Sequence, residues 1–338
     1  MPKNLPKIAL IFAGGATIQT DKKRFISVEK ASDADAWLSE VPELGLIADV
    51  EPVFLFEDGK EISPEDWNTL SEKIHELYKQ YDGFVVLHGL DSILYSSAAL
   101  SFTLQNLTKS IVFTGSPLTP DMRSKKEISG FIADYRTLGV RANLINSIQV
   151  ATMYVPEVTI LLGNQLLRAN RSRKTHSASF NVFEADERDV LGTVDFGIRL
   201  KHEYKKTKGK IYFTELDSKA YLAVVRIHPG FEPEEFADIV KEKPDAIILH
   251  TYLQQGIKKN LDAYARICAQ QDIPLLVFNP FATQASKREG LHLVTGLTYE
   301  ALYTKTLWAL GQRKGAKEIV KMLQQNIAQE IEEERRGE

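Results

Sequence analysis

Cysteine is almost missing from this chain: among 338 residues Cys268 stands alone. No internal disulfide is available, so a disulfide-stapled secreted scaffold is excluded and a reducing compartment, the cytoplasm, is the expected location. Long apolar runs are missing as well. The run Ile8-Ala9-Leu10-Ile11 is too short for a secretory core, and no stretch nears the roughly eighteen apolar residues of a membrane span, so no membrane partner is expected. Neither sign of charge dominates. Lys and Arg number 42 against 45 Asp and Glu, scattered without a basic stripe, which argues against a nucleic-acid partner. The 7 histidines are dispersed with no H-x-H or H-E-x-x-H spacing, so a zinc site is not expected. A G-x-S-x-G elbow and a Walker-type lysine loop are both absent.

What is present is an ordinary globular composition, 43% apolar and 26% charged, on a chain long enough for two domains. Short Val/Ile-rich runs alternate with amphipathic stretches, the pattern of an α/β fold with a mostly parallel sheet. Strands are expected at Ile8–Ile11, Val53–Phe56, Phe84–Leu87, Ile111–Thr114, Val158–Leu162, Ala223–Ile227, Ala246–Leu249 and Pro274–Phe278. In "SPEDWNTLSEKIHELYKQY", Ser63 as N-cap, Pro64 at the first helical position and acids in the first turn predict a helix. "PEEFADIVKEKP" and "KKNLDAYARICAQQ" read as later helices, and the tail "IVKMLQQNIAQEIEEERRGE" as a helix that becomes solvated at its end. Between Glu184 and Lys219 the alternation dissolves into a charged, glycine-punctuated segment with one or two short strands. The expected organisation is a first domain over 1–190, a linker over 191–219 and a second domain over 220–338.

Three stretches carry candidate chemistry. "FAGGATIQT" (12–20) leaves the first strand through Gly14-Gly15 and offers the hydroxyl of Thr17. Ligands of open parallel sheets sit beyond the carboxyl ends of strands, and glycines let backbone N–H groups approach an anion; the alternative is a tight turn that needs positive φ. "LHGLDSILYSS" (87–97) places Asp91 and Ser92 after the strand at Phe84–Leu87, either as a helix cap or as a carboxylate aimed into the same crevice. "LLRANRSRKTHSAS" (166–179) packs Arg168, Arg171, Arg173 and Lys174 ahead of His176. Such a cluster is either a surface loop or, opposite Asp91, a lysine that keeps the carboxylate ionised in a proton relay. Cys268, on an amphipathic helix, reads as a small core residue.

Taken in order, these stretches resemble the bacterial type I, cytoplasmic asparaginases, with their T-G-G-T-I loop, H-G-T-D-T motif and N-R-x-x-K-x-H segment. "SPEDW" (63–67), "YDGFVVLHG" (81–89), "ALSFTLQNL" (99–107), "FTGSPL" (113–118), "NRSRKTH" (170–176) and "LTYEALYTKTLWAL" (297–310) extend the likeness over nearly the whole chain. The resemblance implies a larger N-terminal α/β domain and a smaller flavodoxin-like C-terminal one, in a homodimer or homotetramer with active sites at subunit contacts. It also implies hydrolysis of the asparagine side-chain amide without a cofactor, through a first-loop threonine and a Thr-Lys-Asp trio.

Position by position the chain departs from that machinery. Ala16 stands in the nucleophile's place, with Thr17 one residue further on as the candidate substitute. Phe25 replaces a lid tyrosine, Gly59 and Lys60 occupy the loop that would grip the substrate's α-carboxylate and amine, and Leu90 follows Gly89 where the family has its second threonine. Asp91 and Lys174 match, and Ser92 conservatively replaces the last threonine of the motif. Leu253-Gln254-Gln255-Gly256 replaces a G-x-G-N segment, and His250 stands where an effector-binding arginine is usual. Loss of a nucleophile costs on the order of 10⁶ in rate. The expectation is therefore weak or absent asparaginase activity in a small-ligand-binding or partner subunit, its ligand amino-acid-like or a carboxylate. The alternative is an active amidohydrolase using Thr17 with Asp91, Ser92 and Lys174. Candidate ligand-binding positions are Gly14, Gly15, Gly59, Lys60, Gly89 and Leu90.

Overall fold

A computed structural model describes residues 5–19, 25–115, 130–175, 181–206, 209–251, 260–279, 287–288, 291–294, 296–312 and 315–331. The chain divides into two units, Met1–Phe213 and Thr214–Glu338.

The first unit is built on one eight-stranded sheet. Its strands are β1 (Lys7–Ala13), β2 (Asp49–Phe56), β3 (Gly83–His88), β4 (Ile111–Thr114), β5 (Val158–Leu162), β6 (Gln165–Arg168), β7 (Val190–Val194) and β8 (Ile198–Leu200). They run in the order β8-β7-β6-β5-β4-β3-β1-β2. The pairs from β2 to β5 are parallel, and β6, β7 and β8 continue antiparallel. Strand β1 shows why the sheet needs two covering layers. Ile8, Leu10 and Phe12 point to one face, where they meet Trp37 of helix α1 (Ala34–Ser39) and Leu144 and Ile148 of α4 (Gly130–Ala151). Ala9, Ile11 and Ala13 point to the other, against Leu70 and Ile74 of α2 (Pro64–Leu77) and Leu94 and Leu100 of α3 (Ile93–Thr103). A strand covered on both faces reads as a continuous apolar run, which is why it is visible in the sequence. Helix α2 begins as expected: Ser63 and Asp66 form a capping box with Pro64 just inside.

The second unit carries a smaller sheet in which β9 (Leu222–Arg226), β10 (Ala246–His250), β11 (Leu275–Phe278) and β12 (Leu291–Val294) run parallel. Ala223, Val225, Ile247, Leu249 and Val277 pack with Phe236 and Val240 of α5 (Pro233–Lys241) and Tyr264 and Cys268 of α6 (Asn260–Ala269). Burial pushes the Cys268 thiol up to about 12, so it is an inert core residue. Helices α7 (Tyr299–Gly311) and α8 (Ala316–Gln324) follow.

Two features differ from the sequence reading. The segment expected to link two domains over 191–219 supplies β8 and most of β7 to the first sheet, and the units divide at Phe213/Thr214. Its charged outer positions hide a hairpin whose inward residues, Leu191, Val194, Ile198 and Leu200, join the core. Among the described residues the tail does not continue as a helix either: α8 stops at Gln324, and 325–331 are not helical. Beyond it Glu330 turns inward and pairs with Lys305 of α7, both side chains wholly buried. Lys305 also donates to the carbonyls of Leu323 (3.0 Å) and Gln325 (2.5 Å), supplying partners at the end of α8.

Candidate functional site

All the candidate residues except Lys174 follow the carboxyl ends of β1, β2 and β3, where an open parallel sheet binds ligands. Gly14 leaves β1 at φ +91° and forms an isolated bridge with His88 at the end of β3. Gly59, also left-handed at φ +82°, donates its N–H to the Gly14 carbonyl at 3.2 Å. The approach between the first loop and β3 is closer still at Gly15. A Cβ there would lie 2.1 Å from the His88 carbonyl carbon and oxygen, so only glycine fits. Gly89 lies next to this junction, its Cβ direction 3.5 Å from the Gly14 carbonyl. His88 itself is fully buried. Its Nδ1 donates to the Gly89 carbonyl at 2.8 Å, and burial pushes the imidazole down to about 4, which keeps it neutral.

The loop's hydroxyl and amide converge on a residue that the sequence reading passed over. Asp58, in the turn after β2, accepts from the Ala16 N–H through Oδ1 at 2.5 Å and from the Thr17 hydroxyl through Oδ2 at 2.8 Å. The Ala16 carbonyl accepts from the Trp37 indole at 2.6 Å. Ala16 and Thr17 are both about 1% exposed, and Ala16 packs in the core cluster of Trp37 and Phe12. The loop therefore satisfies these donors internally, with Asp58 as the anion. The one sequence signal for Asp58 is its place in "EDGK", a carboxylate beside a glycine in a turn.

Lys60, expected to hold a ligand carboxylate, is engaged elsewhere. Its ammonium pairs with Asp66 at 2.5 Å and sits 4.5 Å from the centre of the Phe56 ring. Leu90 packs against the core on the α2/α3 side. Asp91 is exposed. Ser92 is the N-cap residue of α3, but its hydroxyl makes no capping bond. Lys174 is exposed on a short strand, Arg173–Lys174, that follows the Ala169–Arg171 turn packed on α3. Among the described residues no ion pair joins Asp91 to Lys174.

Arg173 is exposed and pairs with Glu184 at 3.0 Å, but the other two cations of that stretch are not a surface loop. Arg168 bridges Glu157 (2.7 Å) and Asp189 (2.6 Å), and Arg171 meets Asp189 at 3.0 Å, all with side chains 14% exposed or less. They pin the strand leading toward Lys174. His176, the lid beyond Gln19 and the 253–256 segment lie outside the described residues, as does the Phe25 side chain. His250, at the end of β10, packs against Phe278 and Tyr299 at ring-centre distances of 5.1 and 6.1 Å. Burial and the neighbouring Arg226 hold its imidazole below the ordinary histidine range. Among the described residues no group of three or more His, Cys, Asp or Glu could hold a metal ion, and no helix is long and apolar enough to cross a membrane.

Known proteins share this architecture. A family model described as "Asparaginase, N-terminal" matches residues 7–207. L-asparaginase 1 of Escherichia coli (strain K12) is 28% identical over 292 aligned residues, covering 81% of this chain and 82% of that protein. A glutamyl-tRNA(Gln) amidotransferase subunit of Pyrococcus furiosus is 26% identical, covering 97% of this chain and 77% of its own length. Among solved structures, L-asparaginase I of Vibrio cholerae superposes with a TM-score of 0.79 at 23% identity over 97% of this chain and 99% of that one. The two-unit α/β architecture is thus the asparaginase fold.

Proposed function

The chain belongs to the asparaginase family, and from that premise we propose that it is a binding or partner member of the family that hydrolyses asparagine weakly or not at all. One observation carries the reading: the hydroxyl that follows the first-loop glycines, that of Thr17, is buried and donates to Asp58. Ala16, in the nucleophile's place, has no hydroxyl and contributes its methyl group to the core. A missing nucleophile lowers turnover on the order of 10⁶-fold. Leu90 adds an apolar group beside Asp91 where the resemblance implies a second threonine. A relative named as an amidotransferase subunit, matched over 97% of this chain, supports a role alongside a partner. The ligand is amino-acid-like or a small carboxylate. With Lys60 committed to Asp66, a carboxylate falls to Lys174 and to the Gly14-Gly15 backbone. We place the protein in the cytoplasm as a homodimer or homotetramer.

A second reading rests on the same bond. A hydroxyl 2.8 Å from a carboxylate is also the geometry of a nucleophile with its base, so Thr17 with Asp58, Asp91, Ser92 and Lys174 is the alternative machinery. Ammonia release from asparagine, glutamine and other small amides at millimolar concentration separates the two. Release no faster than buffer, unchanged in Thr17→Ala, is expected. Enzyme-like turnover of asparagine abolished by Thr17→Ala would overturn the first reading and establish the second.

A further inference from the structure

The turn after β2 is tied to the first loop by both its side chain and its backbone. The Asp58 carboxylate accepts from the Ala16 N–H through one oxygen and from the Thr17 hydroxyl through the other, at 2.5 and 2.8 Å. The Asp58 N–H donates to the Val28 carbonyl at 2.9 Å, where the chain returns from the loop, and the Gly59 N–H donates to the Gly14 carbonyl at 3.2 Å. The turn is fixed from behind as well. The Lys60 N–H donates to the Glu57 carbonyl at 3.2 Å, and the Lys60 ammonium pairs with Asp66 in the first turn of α2.

What the loop offers Asp58 is an anion seat. A backbone N–H and a hydroxyl converge on the two oxygens of a single carboxylate, and donors of this kind grip a free carboxylate equally well. The seat is deep: Ala16 and Thr17 are buried, and Asp58 stands half-buried over them. Buried donors are costly to leave without an acceptor, and here the chain supplies its own. The seat does not owe its shape to the Asp58 side chain alone. The Ala16 carbonyl is held by the Trp37 indole at 2.6 Å, and the Gly14 and Val28 carbonyls by backbone N–H groups, bonds that survive any change of side chain at position 58.

We propose that Asp58 is an autoinhibitory occupant of this seat, standing where a ligand's carboxylate would bind, and that the seat takes a free carboxylate of formate or acetate size once the Asp58 side chain is removed. The inference rests on the reading of the first loop as a binding element. In the native protein the seat is closed, which leaves a ligand carboxylate to Lys174 and the Gly14-Gly15 backbone. The size of the guest follows from the piece removed. Asp58→Ala deletes a carboxyl group, the shape of formate, and Asp58→Gly deletes a carboxymethyl group, the shape of acetate.

The test compares thermal midpoints of the full-length wild type and its Asp58→Ala, Asp58→Gly and Asp58→Asn variants in sodium formate, acetate or chloride at matched ionic strength. Formate is expected to stabilise Asp58→Ala and acetate Asp58→Gly, each saturably, the folded-to-unfolded ratio rising about tenfold when the anion is at about ten times its Kd. The wild type and Asp58→Asn, whose seats are filled, are expected to behave in both anions as they do in chloride. Where a deletion variant does not fold in chloride, its refolding yield in the matching carboxylate replaces the midpoint. Adding Thr17→Val to Asp58→Gly removes one donor of the seat and should weaken acetate by at least about tenfold. A response equal in all four proteins, no response in either deletion variant, or an acetate effect untouched by Thr17→Val would each overturn the proposal. Ammonia release from asparagine by the wild type counts separately, against the binding reading and not against the seat, because the variants' response to formate and acetate does not depend on turnover.

Discussion

Replacing Asp58 probes the loop on which the functional reading rests. Asp58→Ala removes the acceptor for both the Ala16 N–H and the Thr17 hydroxyl, two bonds of 2.5 and 2.8 Å to a charged group. Hydrogen bonds to charged partners contribute about 1.5–3 kcal/mol each and an abandoned buried donor adds its desolvation cost, so the loss should be about 3–5 kcal/mol. Asp58→Asn keeps the shape. Its carbonyl oxygen can accept from Ala16, and its amide can donate to the Thr17 oxygen, which also accepts; about 1 kcal/mol should be lost. Thr17→Val deletes the hydroxyl at nearly constant volume. In a double-mutant cycle with Asp58→Ala the two changes should couple by about 1–2 kcal/mol, because each removes the same bond. Urea unfolding followed by tryptophan fluorescence is a suitable assay, since the Trp37 indole is bonded to the Ala16 carbonyl and senses this loop. A coupling below about 0.5 kcal/mol, the scatter of independent sites, would refute the claim that Asp58 holds Thr17.

Further predictions concern buried charge and close packing. Glu330→Gln leaves the Lys305 ammonium buried without its carboxylate and should cost about 3–5 kcal/mol at neutral pH. Burial already holds Lys305 below the ordinary lysine range, and losing Glu330 lowers it further. The unfolded chain then binds the extra proton, so stability of the variant should rise with pH, by up to about 1.4 kcal/mol per unit; a flat profile between pH 7 and 10 would contradict this. His88, pushed down to about 4 by burial, binds its proton more readily when unfolded. Its stability contribution is intact above the unfolded value of about 6.5 and lost as pH falls to 4, about 3 kcal/mol in all. A His88→Asn variant should lack that part of the acid slope in equilibrium unfolding. Gly15→Ala forces a methyl within 2.1 Å of the His88 backbone and should cost more than about 3 kcal/mol or abolish folding, read as soluble yield and thermal midpoint.

By itself the sequence determined the alternation of elements and which runs are buried on both faces. Strands buried on both faces, such as Ile8–Ile11 and Phe84–Leu87, announce themselves as unbroken apolar runs, and the Ser63/Asp66 capping box is a local signal. The first-loop glycines were likewise legible, because a turn after a strand needs few partners to be recognised. Tertiary structure decided what depends on residues far apart in the chain. Asp58 reaches the Ala16-Thr17 loop across about forty residues only because β1 and β2 are neighbours in the sheet. Lys60 became a paired cation, Arg168 and Arg171 became buried struts on Glu157 and Asp189, and Glu330 left the expected tail helix to meet Lys305. A charge in a sequence reads as a wet surface until folding supplies the opposite charge that allows burial. Periodicity is written locally, whereas the pairing of polar groups that fixes what the crevice offers a ligand is set by which strands become neighbours.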